Sequence, residues 1–306
     1  MPKVAVITPT YNRRDLIGKT MRSLAEQTYE DFTSLIVDDG SSDNTADVVS
    51  EIAGKDRRFM YARRERTCSQ KPSASFATNY AFDWLLTDPV LRDVRYIAFL
   101  DSDDILPQHS LQKRVEALEN DPEHLMAYSH MAICYDSMSR IVEYRGPATR
   151  DPKKISKGIV RITGMGFPHR TMIFAKDLLP ETGYFDENLG AGEDRDFTIR
   201  LLQRLEEKQV ACVPEMLYYY RIHENGINAF YRRNNALKPD RTYLVRKHQK
   251  NPVARASSLV YAFMKSPQSF LPERVKRKLR PVKKMLLSRG LDDPFVQQIE
   301  LQSHRA

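Results

Sequence analysis

Short apolar runs that end in polar clusters recur through the first hundred residues, and this repetition constrains the fold more than any other feature. The clearest runs are Lys3 to Thr8, Phe32 to Val37 and Tyr96 to Leu100. Segments with apolar residues at helical spacing separate them. Strands that alternate with helices favour a parallel sheet with right-handed connections. We therefore predict an α/β fold with a Rossmann-like, mainly parallel central sheet flanked by helices, whose polar strand ends share one edge.

The pattern changes after about residue 105. In the first part we predict a further strand at Arg58 to Ala62 and helices at Arg13 to Gln27, through Val48 and Ile52, and at Phe76 to Leu86. In the second part we predict helices at Ser110 to Leu118 and Asp196 to Leu205, with strands at Met126 to Tyr135, Ile141 to Tyr144, Arg170 to Ala175, Val210 to Val213 and Leu217 to Ile222. That second group is typical of a mixed or antiparallel sheet.

Charge divides the chain into two pieces. Residues 228–306 contain 18 Lys and Arg against 5 Asp and Glu, whereas residues 1–227 carry a net charge of −5. We predict one catalytic domain at 1–227, made of halves 1–105 and 106–227, and a basic helical extension at 228–306. Within the extension, residues 274–289 form a basic amphipathic pattern that suits either an anionic membrane surface or packing on the domain. No aromatic stacking platform accompanies the charge, so nucleic acid is not an expected partner.

Composition places the chain among ordinary globular proteins, with 41% hydrophobic and 29% charged residues. Its apolar runs are too short to span a bilayer. The three cysteines, Cys68, Cys134 and Cys212, show no metal-ligand spacing and are expected to be plain thiols in a reducing compartment. We therefore expect a cytoplasmic protein, and binding to the inner face of the cytoplasmic membrane is one of the two alternatives that the basic pattern leaves open.

The acidic cluster Asp101-Ser102-Asp103-Asp104 follows a predicted strand of apolar residues. Carboxylate oxygens are hard ligands that suit Mg²⁺ or Mn²⁺, and such a cation commonly bridges protein carboxylates and substrate phosphates. The cluster therefore indicates a metal site for a nucleotide-linked substrate. An acidic turn without a metal is the alternative that this segment alone leaves open.

Four polar motifs follow one another along the chain: Thr8-Pro9-Thr10-Tyr11-Asn12, Val37-Asp38-Asp39-Gly40-Ser41, Leu100-Asp101-Ser102-Asp103-Asp104 and Gly192-Glu193-Asp194-Arg195-Asp196. Over about residues 1–225 the sequence thereby resembles the family 2 glycosyltransferases with the GT-A fold. The resemblance implies an inverting, metal-dependent enzyme. It would move a hexose or N-acetylhexosamine from a nucleotide diphosphate, most often UDP, to a hydroxyl of a surface glycan or lipid-linked acceptor.

The resemblance also implies roles for single residues. Those that would bind the donor are Thr8, Pro9, Tyr11, Asp39 and Asp101. Asp103 would hold the divalent cation, Mn²⁺ or Mg²⁺, and His223 would lie on the metal or the diphosphate. Asp104 is open between a metal ligand and a cap of the following turn. An aromatic face and a strand-end carboxylate suit a base and a ribose, which agrees with these assignments.

One segment departs from the family pattern. The family often carries an arginine shortly before Asn79, whereas this chain has alanine and threonine there. Lys71 is the candidate that would supply the missing positive charge to the diphosphate, and Asn79 remains a candidate donor contact. Their structural alternatives are a solvated loop lysine and a helix-face amide.

The Glu193-Asp194 pair opens a predicted helix. By resemblance, Asp194 is the general base that takes the proton of the acceptor hydroxyl, and Glu193 binds or orients the acceptor. The alternative is that acidic residues simply complement the helix dipole.

Two other classes of protein are alternatives to this assignment. A non-catalytic relative that binds nucleotide or glycan would keep the fold without needing a base. A nucleotidyltransferase would show a Gly-rich basic loop after the first strand, which Pro9 to Asn12 is not.

Overall fold

A mixed sheet runs through the residues that this computed structural model describes, which are 2–65, 74–135, 138, 140–146, 149–161, 169–189, 192–223, 243–244 and 247–248. Its eight strands are β1 (Val4–Thr10), β2 (Phe32–Asp38), β3 (Phe59–Arg63), β4 (Tyr96–Phe99), β5 (Met126–Tyr135), β6 (Ile141–Arg145), β7 (Ile173–Ala175) and β8 (Val210–Ile222). The helices are α1 (Arg14–Ala25), α2 (Thr45–Ala53), α3 (Ser75–Thr87), α4 (Ser110–Glu119), α5 (Pro152–Arg161), α6 (Leu179–Thr182) and α7 (Glu193–Leu202).

The sheet order is β3-β2-β1-β4-β7-β5-β6, with β8 also paired to β5. Strands β1 to β4 pair in parallel, whereas β7 is antiparallel to both β4 and β5. Strand β6 is antiparallel to β5, and β8 is parallel to it. The predicted α/β class is therefore confirmed, with a parallel first half and a mixed second half.

Both faces of the sheet are buried, because alternate residues of a strand point in opposite directions. Val6 packs with Ile17 of α1 in the cluster on one face. Ile7 lies in the cluster on the other face, together with Phe82 of α3. This double burial explains why β1 is a continuous apolar run rather than an alternating one.

Three predicted strands differ from the structure. The runs around 210–213 and 217–222 form the single strand β8, whose register against β5 shifts between Ser129 and Ala132. That irregularity lies opposite Pro214, which has no N–H for the ladder. The strand predicted from Arg170 begins only at Ile173, because His169–Thr171 form a 3₁₀ turn.

Residues Met1–Leu259 form one compact unit and Val260–Ala306 a second. The predicted domain boundary at 227 stays a prediction. Lys71 and the basic pattern at 274–289 lie outside the described residues.

Candidate active site

The loops after β1 and β2 are bonded to each other at the carboxyl edge of the sheet. The amide of Asn12 donates to Ser41 Oγ at 2.9 Å, and the amide of Arg13 donates to Thr45 Oγ1 at 2.8 Å. Asn12 takes a positive φ of 50°, a conformation that asparagine tolerates better than most residues. These bonds fix the backbone that carries Thr8, Pro9 and Tyr11.

The two aspartates after β2 have different environments. Asp38 is fully buried, and its carboxylate accepts from the Ser41 amide at 2.8 Å and from the Tyr61 hydroxyl at 2.9 Å. Asp39 pairs with Arg64, whose guanidinium lies 5.1 Å from the centre of the Phe76 ring. Asp38 therefore stabilises the turn, while the Asp39 carboxylate lies beside an arginine at the sheet edge.

Hydroxyl groups of β1 lie beside this turn without a bonding partner in the structure. Thr8 and Thr10 are at most 3% exposed, and their Oγ1 atoms make no hydrogen bond. Buried hydroxyls normally find a partner. Tyr11, just beyond, is 40% exposed. The end of β1 thus offers unused hydrogen-bonding groups and an accessible aromatic ring.

The acidic cluster after β4 brings three carboxylates together. One oxygen from each of Asp101, Asp103 and Asp104 lies within 4.8 Å of the others. Asp104 is fully buried and accepts from the Tyr218 hydroxyl and the Arg221 amide, each at 2.7 Å. Burial, together with the neighbouring aspartate charges, raises the pKa of Asp104 well above its usual value. Asp104 therefore anchors the acidic loop to β8.

Asp103 sits between two nitrogen donors from distant parts of the chain. Its Oδ2 lies 3.2 Å from Arg13 Nε and 3.0 Å from His223 Nε2. Burial alone would raise the pKa of Asp103, but the hydrogen bond with His223 and the Arg13 charge lower it. The structure therefore brings together the two residues that the sequence proposed as metal ligands.

Arg170 joins the acidic cluster to the start of α7. Its Nε lies 2.5 Å from Asp101 Oδ2, and its Nη1 lies 3.8 Å from Asp194 Oδ2. The guanidinium also lies 4.9 Å from the centre of the Tyr220 ring, a cation–π contact. Asp101 and Asp194 thus share one cation.

Asp194 is held ionised at a partly buried position, where 24% of its side chain is exposed. Burial opposes its ionisation, yet the positive charges of Arg170 and Arg195 lower its pKa. Burial also lowers the pKa of His169 to about 4, so this imidazole is neutral near pH 7 and the two arginines carry the effect. Burial and the adjacent Asp194 charge raise the pKa of Glu193 to about 8. At neutral pH the pair therefore offers one carboxylate base and one protonated acid.

Residues 5–180 match the protein-family model described as glycosyl transferase family 2. The chain belongs to this family. The predicted membership and the predicted class of enzyme, a glycosyltransferase, are confirmed.

Among named relatives of this family 2 glycosyltransferase is the GalNAc(5)-diNAcBac-PP-undecaprenol beta-1,3-glucosyltransferase of Campylobacter jejuni. It is 26% identical over 193 residues, which cover 62% of this chain and 57% of the relative. Several other relatives are matched over less than half of their length.

Solved structures share the fold. The TarS 1–349 structure of Staphylococcus aureus in complex with UDP-GlcNAc has a TM-score of 0.63 at 19% identity, covering 92% of this chain and 78% of that one. The mannosyltransferase PcManGT of Pyrobaculum calidifontis, in complex with GDP-Man and Mn²⁺, has a TM-score of 0.58 at 17% identity. That likeness covers 100% of this chain and 80% of that one. The predicted GT-A architecture is confirmed.

The donor atoms at the acidic cluster fit a hard divalent cation. Asp101 and Asp103 supply carboxylate oxygens, and His223 supplies a nitrogen next to Asp103. The carboxylate oxygens suit Mn²⁺ or Mg²⁺. Both oxygens of Asp104 already accept hydrogen bonds, which leaves ligation to the other residues.

Asn79 lies away from this cluster and binds within the protein. Its side-chain amide exchanges hydrogen bonds with the backbone of Phe185 at 2.8 and 3.0 Å and donates to Glu187 Oε1 at 2.9 Å. The amide thereby ties α3 to the segment before α7. Its predicted contact with the donor stays a prediction.

Three arginines at the site were missed by sequence reasoning: Arg13, Arg64 and Arg170. Arg13 directly follows the first motif, so its place beside the strand end was a usable signal. Arg170 had no such signal, because its segment was predicted as the start of a strand.

Among the described residues, no helix is long and apolar enough to cross a membrane.

Proposed function

We propose that this protein transfers a hexose or N-acetylhexosamine from a nucleotide diphosphate, with UDP favoured, to a hydroxyl of a surface glycan or lipid-linked acceptor. The proposal is carried by the contacts of Arg170 with both Asp101 and Asp194, which bring these two carboxylates close together. A donor and an acceptor have to meet between those carboxylates for transfer to occur.

The strand ends support the donor assignment. Thr8 Oγ1 and Thr10 Oγ1 are buried without partners at the end of β1, and a small opening of this strand end would let them bond to base or ribose groups. The exposed ring of Tyr11 offers a stacking face. Binding of UDP-GlcNAc by the TarS structure supports UDP, whereas GDP-Man in PcManGT is the competing donor class.

Asp103 and His223 would hold the cation, with Asp101 close by. Bound there, Mn²⁺ or Mg²⁺ neutralises negative charge on the leaving diphosphate. Arg13, at 3.2 Å from Asp103, adds positive charge on the same side.

Asp194 would act as the base. The acceptor oxygen forms a bond to the anomeric carbon from the face opposite the diphosphate, and the hydroxyl proton passes to the Asp194 carboxylate. The bond between the anomeric carbon and the phosphate oxygen breaks, and its electron pair leaves with the nucleoside diphosphate. One in-line displacement inverts the anomeric centre. Protonated Glu193 would donate a hydrogen bond to the acceptor.

A lipid-linked acceptor is supported by the Campylobacter jejuni relative, whose name includes an undecaprenol carrier. The basic pattern at 274–289 would bring the enzyme to the cytoplasmic face of an anionic membrane. Replacing Lys276, Arg277, Lys278 and Arg280 by Gln should abolish sedimentation with phosphatidylglycerol vesicles. Undiminished binding of that variant would contradict the membrane role.

The donor test combines binding with turnover. UDP-GlcNAc, UDP-glucose and GDP-mannose are titrated with and without Mn²⁺ in a thermal-shift assay, because a bound ligand stabilises the folded state. We expect protection by a UDP-sugar that depends on Mn²⁺, and slow release of UDP when water replaces the acceptor. Binding without turnover by any donor or membrane extract would favour a non-catalytic relative. Preference for GDP-mannose would overturn the UDP assignment.

A further inference from the structure

Residues beyond the predicted catalytic domain dock against α7. Lys247 Nζ lies 2.9 Å from both Asp196 Oδ1 and Asp186 Oδ2. His248 Nε2 lies 2.7 Å from Asp196 Oδ1, and Tyr243 donates to Asp186 Oδ2 at 2.9 Å. These contacts join the segment to both carboxylates that flank the Glu193-Asp194 turn.

Asp196 makes this docking strong, because its side chain is fully buried. It has three basic partners: Arg200 of the same helix, at 2.9 Å, and the docked Lys247 and His248. Burial alone would raise the pKa of Asp196, but the bonds from His248 and Lys247 lower it. A buried carboxylate that loses partners becomes costly, so α7 depends on the docked residues.

Leu244 adds an apolar contact at the residue before the turn. It is only 5% exposed, and a Cβ placed on Gly192 would lie 2.7 Å from Leu244 Cδ1. Gly192 caps α7 with a φ of 89°, a conformation that favours glycine. The Leu244 side chain therefore fills the space that Gly192 leaves open, directly before Glu193 and Asp194.

We propose that Tyr243, Leu244, Lys247 and His248 form a clamp that positions the Asp194 carboxylate for catalysis. The clamp holds Gly192 on one side of the turn and Asp196 on the other. Its members are positioning residues, since they act through the turn and not on substrate. The inference rests on the proposed role of Asp194 as the base, and it makes part of the basic extension necessary for turnover.

The test uses full-length Lys247→Glu, which sets like charge against Asp186 and Asp196. We expect kcat for UDP release from UDP-GlcNAc to fall about tenfold or more, because small displacements of a catalytic group are costly. Donor affinity should stay within about twofold, since the donor contacts lie on other strands. Adding Asp186→Lys should restore part of kcat, and Lys247→Arg should keep most of it.

Amide hydrogen exchange supplies a readout that needs no turnover. Peptides covering 192–199 should exchange faster in Lys247→Glu and return toward wild type with Asp186→Lys. Lys208→Glu is the matched control, because the ion pair of Lys208 with Glu123 is exposed and includes no residue of α7. If Lys247→Glu fails to fold, Leu244→Ala replaces it, with a smaller loss of kcat expected.

The outcomes separate the clamp from the proposed function. An active Asp194→Asn variant would refute the base assignment. An inactive Asp194→Asn variant beside a fully active Lys247→Glu or Leu244→Ala variant would refute the clamp alone. If no donor turns over, unchanged exchange at 192–199 in either variant still overturns the clamp.

Discussion

The proposed donor side of the site, at the ends of β1, β2 and β4, and the proposed acceptor side, around α7, are built in different ways. The donor-side groups follow directly from parallel strands, and their loops bond to neighbouring loops. The acceptor side is assembled from a 3₁₀ turn, a helix start and two short docked stretches at 243–244 and 247–248. The difference teaches that a regular sheet edge can collect ligand groups by topology alone, whereas the base has to be held by partners from elsewhere.

The largest expected effects come from one aspartate on each side. Asp103→Ala should abolish Mn²⁺-dependent protection by donor, because it removes the carboxylate beside His223. Asp194→Asn should keep donor binding and lower turnover roughly 10²- to 10⁴-fold, the usual contribution of a general base. Thermal shift and UDP release measure the two effects. Loss of donor binding in Asp194→Asn would erase the functional division between the two sides.

Arg170 connects the two sides, so its loss should affect both. We expect Arg170→Ala to lower kcat about a hundredfold, because Asp101 and Asp194 lose their shared cation. Arg170→Lys should recover part of the loss, since a lysine keeps the charge without the planar fork. Steady-state kinetics with UDP-GlcNAc would check this. Wild-type kcat in Arg170→Ala would mean that the two sides work independently.

Glu193 makes the stability of the α7 side of the site depend on pH. Its raised pKa of about 8 means that the folded state keeps the proton after the unfolded chain has lost it near 4.5. Its contribution to stability is therefore complete below about pH 4.5 and is lost as pH rises through about 8. Relative to Glu193→Gln, the wild type should lose on the order of 5 kcal/mol of unfolding free energy over that range. Urea denaturation of both proteins at several pH values measures this loss. If their unfolding free energies changed with pH in parallel, the raised pKa of Glu193 would be contradicted.

The smallest expected effect concerns the anchor of the acidic loop. Tyr218 is fully buried, donates to Asp104 at 2.7 Å and accepts from the Asp101 amide at 3.1 Å. Tyr218→Phe should lower the unfolding free energy by about 1 to 2 kcal/mol, because both groups lose a partner. Tyr144→Phe, at a 61% exposed position, is the control and should be neutral. Equal stability of the two variants would show that the loop does not need β8.

Sequence reasoning predicted the fold class, the family and the acidic cluster, because each depends on residues close together in the chain. It also assigned Asp103 and His223 to the metal site, and Asp103 Oδ2 and His223 Nε2 lie 3.0 Å apart. It missed Arg170, since a 3₁₀ turn before β7 has no hydrophobic periodicity to distinguish it from a strand start. It also predicted two strands where β8 is one, because Pro214 interrupts the pattern while the irregular pairing absorbs it.

The alternation of strand-like apolar runs with helical segments, together with the motifs at the strand ends, determined that this chain forms an α/β sheet with carboxylates at one edge. Only the tertiary structure decided which cations meet those carboxylates. Arg170 reaches Asp101 across 69 positions of sequence, and His248 reaches Asp196 across 52. Burial makes each such pairing specific, since a charge removed from water needs a partner in place, and the choice of partner is set by packing and not by neighbouring residues in the chain.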